Sequence, residues 1–163
     1  MSKVTAEYVR SILRYERSTG LFRWRHDHRW NAKAGSIAGS IHAHGYRIIK
    51  IDGVGYPAHR LAWLVVNGYF PDCEIDHKNR IRSDNRFRNL REATRTQNTW
   101  NAKIKTTSST GHRGVSKRRG RWLARIQVHK RRIHLGYFDT ADKARRAYAA
   151  AAKDFHGSFA NCS

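Results

Sequence analysis

The stretch 74–101 constrains the fold most. It has few apolar positions, so its strands and helix must be short. Residues 74–77 are extended in character, residues 78–82 read as a loop, and residues 89–93 can supply a second short strand. Residues 94–97 have the capping-box pattern Thr-Arg-Thr-Gln, which predicts a helix that starts at Thr94. The stretch is therefore predicted to fold as strand, loop, strand and helix.

Four polar side chains in this stretch form a pattern typical of a hydrolytic metal centre. The predicted elements can bring Asp76 and Asn98 together, and two oxygen ligands with open positions suit a hard cation such as Mg²⁺. His77 points away from Asp76 in an extended segment, and an ordinary pKa near ~6.5 suits a general base. An amide oxygen from Asn89 would fix its tautomer. Each residue alone also has an ordinary explanation in a turn, a loop or a helix surface.

These residues belong to a longer segment, residues 59–101, that resembles HNH endonucleases with the ββα-metal fold. The resembling branch is that of homing endonucleases from phages and mobile introns. It opens with His-Arg-Leu at 59–61 and runs through DHKNRIRSDNRFRNLREATRTQN. Lys78 and Arg80 depart from the family, which often has an apolar residue and a glycine there.

The resemblance implies hydrolysis of DNA phosphodiester bonds that leaves 5′-phosphate and 3′-hydroxyl ends. It also implies a divalent metal cofactor, Mg²⁺ with Mn²⁺ as the alternative. The roles it implies are His77 as general base, Asn89 as the residue that orients it, and Asp76 and Asn98 as metal ligands. His59 and Arg60 are candidate supporting residues, although a structural histidine at a strand–helix junction is an equal alternative for His59.

The charge of the chain indicates a polyanionic partner. The 163 residues carry 33 Lys and Arg against 12 Asp and Glu, a net charge of +21. Nucleic acid is the expected partner, because basic side chains on phosphates release condensed counterions. Residues 105–163 carry 14 basic and three acidic groups, the largest excess along the chain. The last third is therefore the main candidate for phosphate binding.

Other function classes find little support. Cys73 and Cys162 do not make a disulfide framework, and no second clustered pair completes a zinc site with Cys73 and His77. His26 and His28 are more typical of an exposed loop than of metal ligands. Without an apolar run of eighteen residues or a signal peptide, the protein is expected to be soluble and cytoplasmic, in the host cell if it is phage-encoded.

The first third of the chain predicts a small mixed extension. Residues 4–16 have a helical apolar stripe that Thr5 can cap, and residues 21–24 alternate like a strand. Residues 46–51 predict another strand, followed by a hairpin turn at Asp52-Gly53. Residues 59–68 predict a short, mostly buried helix that stops at Gly68. No specific function follows for residues 1–58.

The last third predicts three strands and a helix. Residues 105–111 form a polar linker, and residues 114–117, 121–128 and 132–135 read as strands with Arg on one face. Residues 140–156 predict a helix with a buried stripe, consisting of Ala141, Ala144, Tyr148, Ala151 and Phe155.

Residues 111–161 resemble the ethylene-response-factor-type DNA-binding domain of plant APETALA-class regulators. The resemblance rests on the RGV opening, on LGYFDTADKARRAYAAAA and on the closing HGSFAN. Ser116, Gln127 and His134 stand where the plant domains favour Arg, Arg and Trp, so the target sequence does not transfer. The candidate DNA-binding residues of the whole chain are Arg91, Arg95, Arg113, Arg118, Arg119, Arg121, Arg125, Arg132 and His134.

Together these patterns predict an α+β protein with four parts. They are an extension at 1–58, an HNH ββα-metal domain at 59–104, a linker at 105–111 and a DNA-binding domain at 112–163. The expected function is that of a homing-type endonuclease on double-stranded DNA, in which the last domain holds the site and the central stretch cuts. A non-catalytic DNA-binding regulator and an RNA-processing nuclease are the alternatives. Monomer and dimer both stay open.

Overall fold

The structure, a computed structural model, describes residues 4–27, 32–102, 110–128 and 131–161. The elements are α1 (Ala6–Ile12), β1 (Leu13–Glu16), β2 (Leu21–Trp24), β3 (Ser40–Ile41), β4 (Arg47–Ile51), β5 (Val54–Pro57), α2 (Ala58–Asn67), β6 (Glu74–His77), β7 (Leu90–Ala93), α3 (Arg95–Asn101), β8 (Val115–Arg118), β9 (Arg121–Val128), β10 (Arg131–Phe138) and α4 (Ala141–His156). Short 3₁₀ turns cover Phe87–Asn89 and Gly157–Phe159. The predicted α+β class is confirmed.

The chain forms two compact units, Met1–Arg95 and Thr96–Ser163. Several predictions concern residues outside the described ranges: His28, Cys162 and most of the linker at 105–111. Among the described residues, no helix is both long and apolar enough to cross a membrane.

The described residues of the first unit form three small antiparallel sheets together with α1 and α2. The sheets are the hairpin β1–β2, the sheet β3–β4–β5 and the hairpin β6–β7. The turn between β4 and β5 has Asp52 at φ 49° and Gly53 at φ 81°, as a two-residue hairpin turn with both central residues left-handed requires. Strands β6 and β7 and helix α2, which ends at Gly68, form within a residue or so of the predicted bounds.

The helix predicted at 4–16 is shorter than expected. Thr5 caps it by accepting a hydrogen bond from the Tyr8 amide at 3.2 Å, but it ends at Ile12. Residues 13–16 form β1 instead and pair with β2, so that Leu13 lies opposite Trp24. Leu13 fits an apolar helical stripe in the sequence, but the hydrogen bonds of the β1–β2 pair hold it in a strand, where it is buried. The helix prediction for residues 13–16 was therefore wrong.

One hydrophobic core joins the N-terminal extension to the central stretch. Its most deeply buried side chains are Val9, Phe22, Ile49, Ile51 and Leu61, which come from α1, β2, β4 and α2. Ile75 of β6 and Leu90 of β7 complete it. The elements of residues 6–67 thus pack against the apolar side chains of the β6–β7 hairpin.

The second unit contains a sheet in the order β10–β9–β8, with α4 packed on one face. Thr140 caps α4 by accepting from the Lys143 amide at 3.2 Å. The predicted buried stripe drifts: Ala144, Tyr148, Ala152 and His156 are buried, whereas Phe155 is 47% exposed. The buried positions therefore recur every four residues, and not at the alternating spacing of three and four that was predicted.

Candidate active site and nucleic-acid interface

Strand β6 presents Asp76 and His77 on opposite faces, because successive side chains of a strand alternate. In the pairing with β7, Asp76 lies opposite Arg91 and His77 lies opposite Leu90. Both side chains are buried, with 5% and 4% of their surfaces exposed. Two adjacent polar residues buried at the end of a short strand need partners on both faces.

Asp76 finds one partner across the hairpin. The Arg91 guanidinium contacts Asp76 Oδ2 through Nε at 2.8 Å and Nη2 at 2.7 Å. The Arg91 side chain is only 13% exposed. Arg91 was predicted to bind DNA, and this role stays a prediction; in the structure its charge is directed at a buried carboxylate on the neighbouring strand.

The imidazole of His77 is held by Asn85. His77 Nε2 lies 3.0 Å from Asn85 Oδ1, and Asn85 is 1% exposed. The Asn85 amide nitrogen donates to the Ser83 carbonyl at 3.3 Å, so its oxygen faces the ring and Nε2 is the protonated nitrogen. Nδ1 is then the basic nitrogen. Burial lowers the pKa of His77, while the bond to Asn85 and the charge of Asp76 act in the opposite direction.

Asn89 occupies a different place from the one predicted. Its Oδ1 accepts from the Asn79 amide at 3.0 Å, and its Nδ2 donates to Asn79 Oδ1 at 3.0 Å and to the Asp84 carbonyl at 2.7 Å. The contact expected from Asn89 to His77 is made by Asn85 instead. Asn89 thus hydrogen-bonds to both ends of the loop at 79–84, and this loop positions Asn85 next to the His77 ring.

Sequence reasoning missed Asn85, which it treated as part of a turn. Ser83, Asp84 and Asn85 are residue types that accept and donate hydrogen bonds within turns. Asp84 binds Arg86 and Asn79, and its pKa is lowered to about 2 mainly by the Arg86 guanidinium. The signal in the sequence was the clustering of such residues eight positions after His77.

His59, on the first turn of α2, lies beside His77 of β6. The two ring centroids are 5.1 Å apart in an edge-on arrangement, and Tyr46 lies 5.3 Å from His59 and 6.0 Å from His77. His59 Nδ1 is buried without a hydrogen-bond partner. Burial lowers the pKa of His59 to about 3, and the neighbouring His77 acts in the same direction. His59 is thus a neutral ring at physiological pH.

Arg60, the other candidate supporting residue, holds a loop. It donates to the carbonyls of Pro71 at 3.0 Å and Cys73 at 3.3 Å, and its guanidinium lies 5.8 Å from the Phe70 ring centroid. These contacts tie α2 to the segment that leads into β6.

Helix α3 carries Asn98 and begins with Arg95. The helix starts one residue after the predicted Thr94, and all of it except Arg95 belongs to the second unit. Arg95 is exposed and Asn98 is half-buried.

The second unit presents a basic sheet face on the side away from α4. Arg125 lies opposite His134, Gln127 opposite Arg132, and Arg118 opposite Arg121, so these residues share one face by register. Four of the basic residues, Arg118, Arg121, Arg132 and His134, are exposed. Arg119 lies in the β8–β9 turn at φ 47°. We call this surface the basic sheet face.

Arg113 does not belong to the basic sheet face. Its guanidinium donates to the carbonyls of Thr99 at 3.1 Å, Trp100 at 3.2 Å and Ala102 at 2.5 Å. The DNA-binding role expected for Arg113 stays a prediction, and in the structure its donors are directed at the end of α3.

The central stretch is similar in sequence to a known family. Residues 56–100 match the HNH endonuclease family. The match supports a nuclease, an enzyme that hydrolyses DNA, and it covers 45 of the 163 residues. It includes β6, β7, the loop between them and most of α3.

HNH nucleases generally use a divalent metal ion, and the side chains near β6 offer few ligands for one. Among the described residues, no three His, Cys, Asp or Glu side chains cluster as metal ligands. The available chemistry is oxygen-based, with the Asp76 carboxylate on β6 and amide oxygens as further donors. A hard cation that keeps several waters fits a site with so few protein ligands.

Proposed function

We propose that this nuclease is a site-directed endonuclease of homing type that hydrolyses phosphodiester bonds of double-stranded DNA. The products would carry 5′-phosphate and 3′-hydroxyl ends. The observation that supports this proposal best is His77, a buried ring with a lowered pKa whose Nε2 is bonded to Asn85. In this tautomer Nδ1 carries the lone pair of the ring and can act as a base near neutral pH.

His77 would take the proton from the attacking water through Nδ1. Asn85 keeps the ring oriented and stabilises the imidazolium that forms, because its amide oxygen accepts from Nε2–H. Asn89 acts through the loop that holds Asn85. General-base assistance of this kind typically contributes ~10²–10⁴-fold in rate.

Asp76 and Asn98 are the proposed ligands of the divalent ion, Mg²⁺ with Mn²⁺ as the alternative. Bound there, the ion would supply Lewis-acid stabilisation of the charge on the phosphate and the departing 3′ oxygen. Arg91 balances the charge of Asp76 and fixes the direction of its carboxylate.

The basic sheet face is the proposed DNA-holding surface. Exposed Arg side chains in register on adjacent strands can contact phosphates along one groove, and a two- or three-stranded sheet can enter a major groove. The large positive charge of the chain adds a salt-dependent affinity for any duplex. Base-specific contacts from this face would select the cutting site.

A plasmid-cleavage assay tests the proposal. Wild type is incubated with supercoiled DNA that includes the flanks of its own gene, with Mg²⁺ or with EDTA, and the ends are tested by resealing with DNA ligase. His77→Ala should slow cleavage by ~10²-fold or more. His26→Ala, which removes an exposed loop histidine, is the matched control and should cut like wild type.

Two results would contradict the proposal. If wild type binds duplex DNA but never nicks it with Mg²⁺ or Mn²⁺, the non-catalytic regulator is the better description. If His77→Ala cuts as fast as wild type, the base is another residue. A preference for RNA in a competition with duplex DNA would favour the RNA-processing alternative.

A further inference from the structure

The C-terminal end of α3 is satisfied by side chains of the second unit. The last carbonyls of any helix lack partners within the helix, and cationic side chains near them also interact favourably with the helix dipole. Arg113 meets both needs, since one guanidinium donates to the carbonyls of Thr99, Trp100 and Ala102.

Two further contacts hold the same end of the helix. Asn161, which is 4% exposed, donates through Nδ2 to the Ala102 carbonyl at 2.7 Å. The Trp100 ring stacks on the His156 ring at the end of α4, with centroids 4.1 Å apart and an angle of 12° between the planes. Arg113, His156 and Asn161, which we call the α3 clamp, come from three separate places in the second unit.

The length of α3 makes this clamp important. The helix has seven residues, and helices shorter than ~12–15 residues are marginal in water without tertiary contacts. The family match nevertheless includes α3 up to residue 100. The last helix of the matched nuclease segment is thus built into the unit that carries the basic sheet face.

We infer that Arg113 is a positioning residue for the nuclease, which fixes α3 and thereby Asn98 rather than contacting DNA. The inference rests on the proposed function, in which Asn98 is a metal ligand. The second unit then has two tasks: the basic sheet face binds DNA, and the α3 clamp sets the position of a catalytic helix. A nuclease segment separated from residues 112–161 would lack this support.

The test compares three charge-removing substitutions in the full-length chain. Arg113→Gln removes the three bonds that Arg113 contributes to the α3 clamp. Arg118→Gln removes an exposed charge from the basic sheet face, and Arg146→Gln removes an exposed charge from α4. For each, the measurements are kcat at saturating DNA, the DNA Kd, and hydrogen exchange of the amides at 98–102. Thermal unfolding confirms that each variant is folded.

The inference predicts a separation of effects. Arg113→Gln should lower kcat by on the order of 10–100-fold and speed exchange in α3, with DNA Kd changed less than about threefold. Arg113→Lys should recover part of kcat, because it restores the charge at the helix end. Arg118→Gln should raise the DNA Kd while hydrogen exchange in α3 stays as in wild type, and Arg146→Gln should behave like wild type in all three measurements.

Other outcomes overturn the inference. Weaker DNA binding by Arg113→Gln with unchanged kcat and exchange would make Arg113 a DNA contact, and no effect at all would make the clamp irrelevant. If Arg113→Gln does not fold, Asn161→Ala, which removes one clamp bond, must show the same loss of kcat at constant Kd. If wild type itself never cuts, the proposed function fails, while the exchange data still report on the clamp separately.

Discussion

The neutral state of His59 predicts a specific loss of stability in acid. The folded protein holds the pKa of His59 at about 3, because the ring is buried beside His77. An unfolded chain titrates histidine near ~6.5. Between these values the unfolded state binds the extra proton, so stability is present above pH ~6.5 and falls as the pH falls.

The size of the effect follows from the two pKa values. At pH 5 the unfolded chain gains about 2 kcal/mol from protonating this one histidine, whereas at pH 7.5 it gains almost nothing. A folded pKa one unit higher than about 3 would change the figure little, because both lie well below pH 5. His59 therefore should cost the fold about 2 kcal/mol over this pH range.

Urea unfolding of wild type and His59→Phe at pH 7.5 and pH 5.0 measures this quantity. Phenylalanine keeps a planar ring and removes the buried Nδ1, which has no partner. Wild type should lose about 2 kcal/mol more than the variant on going to pH 5.0, and titrating groups that lie away from His59 cancel in the comparison. A difference below about 0.5 kcal/mol would show that His59 titrates normally and that its burial has been misjudged.

Three further substitutions test the loop that supports His77. Arg80→Gly should be neutral or stabilise the protein by up to about 1 kcal/mol, because Arg80 has φ 64° and a left-handed backbone is costly for residues with a Cβ. A clear loss of stability would show that the contacts of the Arg80 side chain outweigh this backbone cost. Gly20→Ala should destabilise by more than about 2 kcal/mol and lower kcat, because its Cβ would lie 2.4 Å from the Asn85 carbonyl carbon. Gly35→Ala is the matched control, with a similar φ of 79° and open space, and equal melting temperatures for the two would refute the steric argument. Asp84→Asn should remove the part of the stability that is lost between pH ~4 and about 2, since the folded protein keeps Asp84 charged down to about pH 2. An acid unfolding curve identical to that of wild type would contradict this.

Local patterns predicted most elements because they depend on neighbouring residues. The hairpin turn at Asp52-Gly53, the helix ended by Gly68 and the alternation along β9 each follow from backbone preferences or from side-chain period. Residues 13–16 were assigned wrongly because Leu13 fits a helical stripe and a strand equally well. Only the pairing with β2, which no local pattern contains, decides between them.

The candidate site divides in the same way. The sequence indicated Asp76, His77, Asn89 and Asn98, and residues 56–100 match the HNH endonuclease family. The partners of these residues were not predictable, because Asn85 reaches His77 only through a loop fastened by Asn89.

By itself, the sequence determined the chemistry: a strongly basic chain, a carboxylate beside a histidine, and short elements of known period. The tertiary structure decided which basic side chains bind acceptors within the protein itself. Arg91 and Arg113 look like DNA-binding residues in the sequence, yet one faces a buried carboxylate and the other faces helix carbonyls. The physical reason is that a guanidinium near an unsatisfied acceptor binds it, and only folding brings distant acceptors within reach.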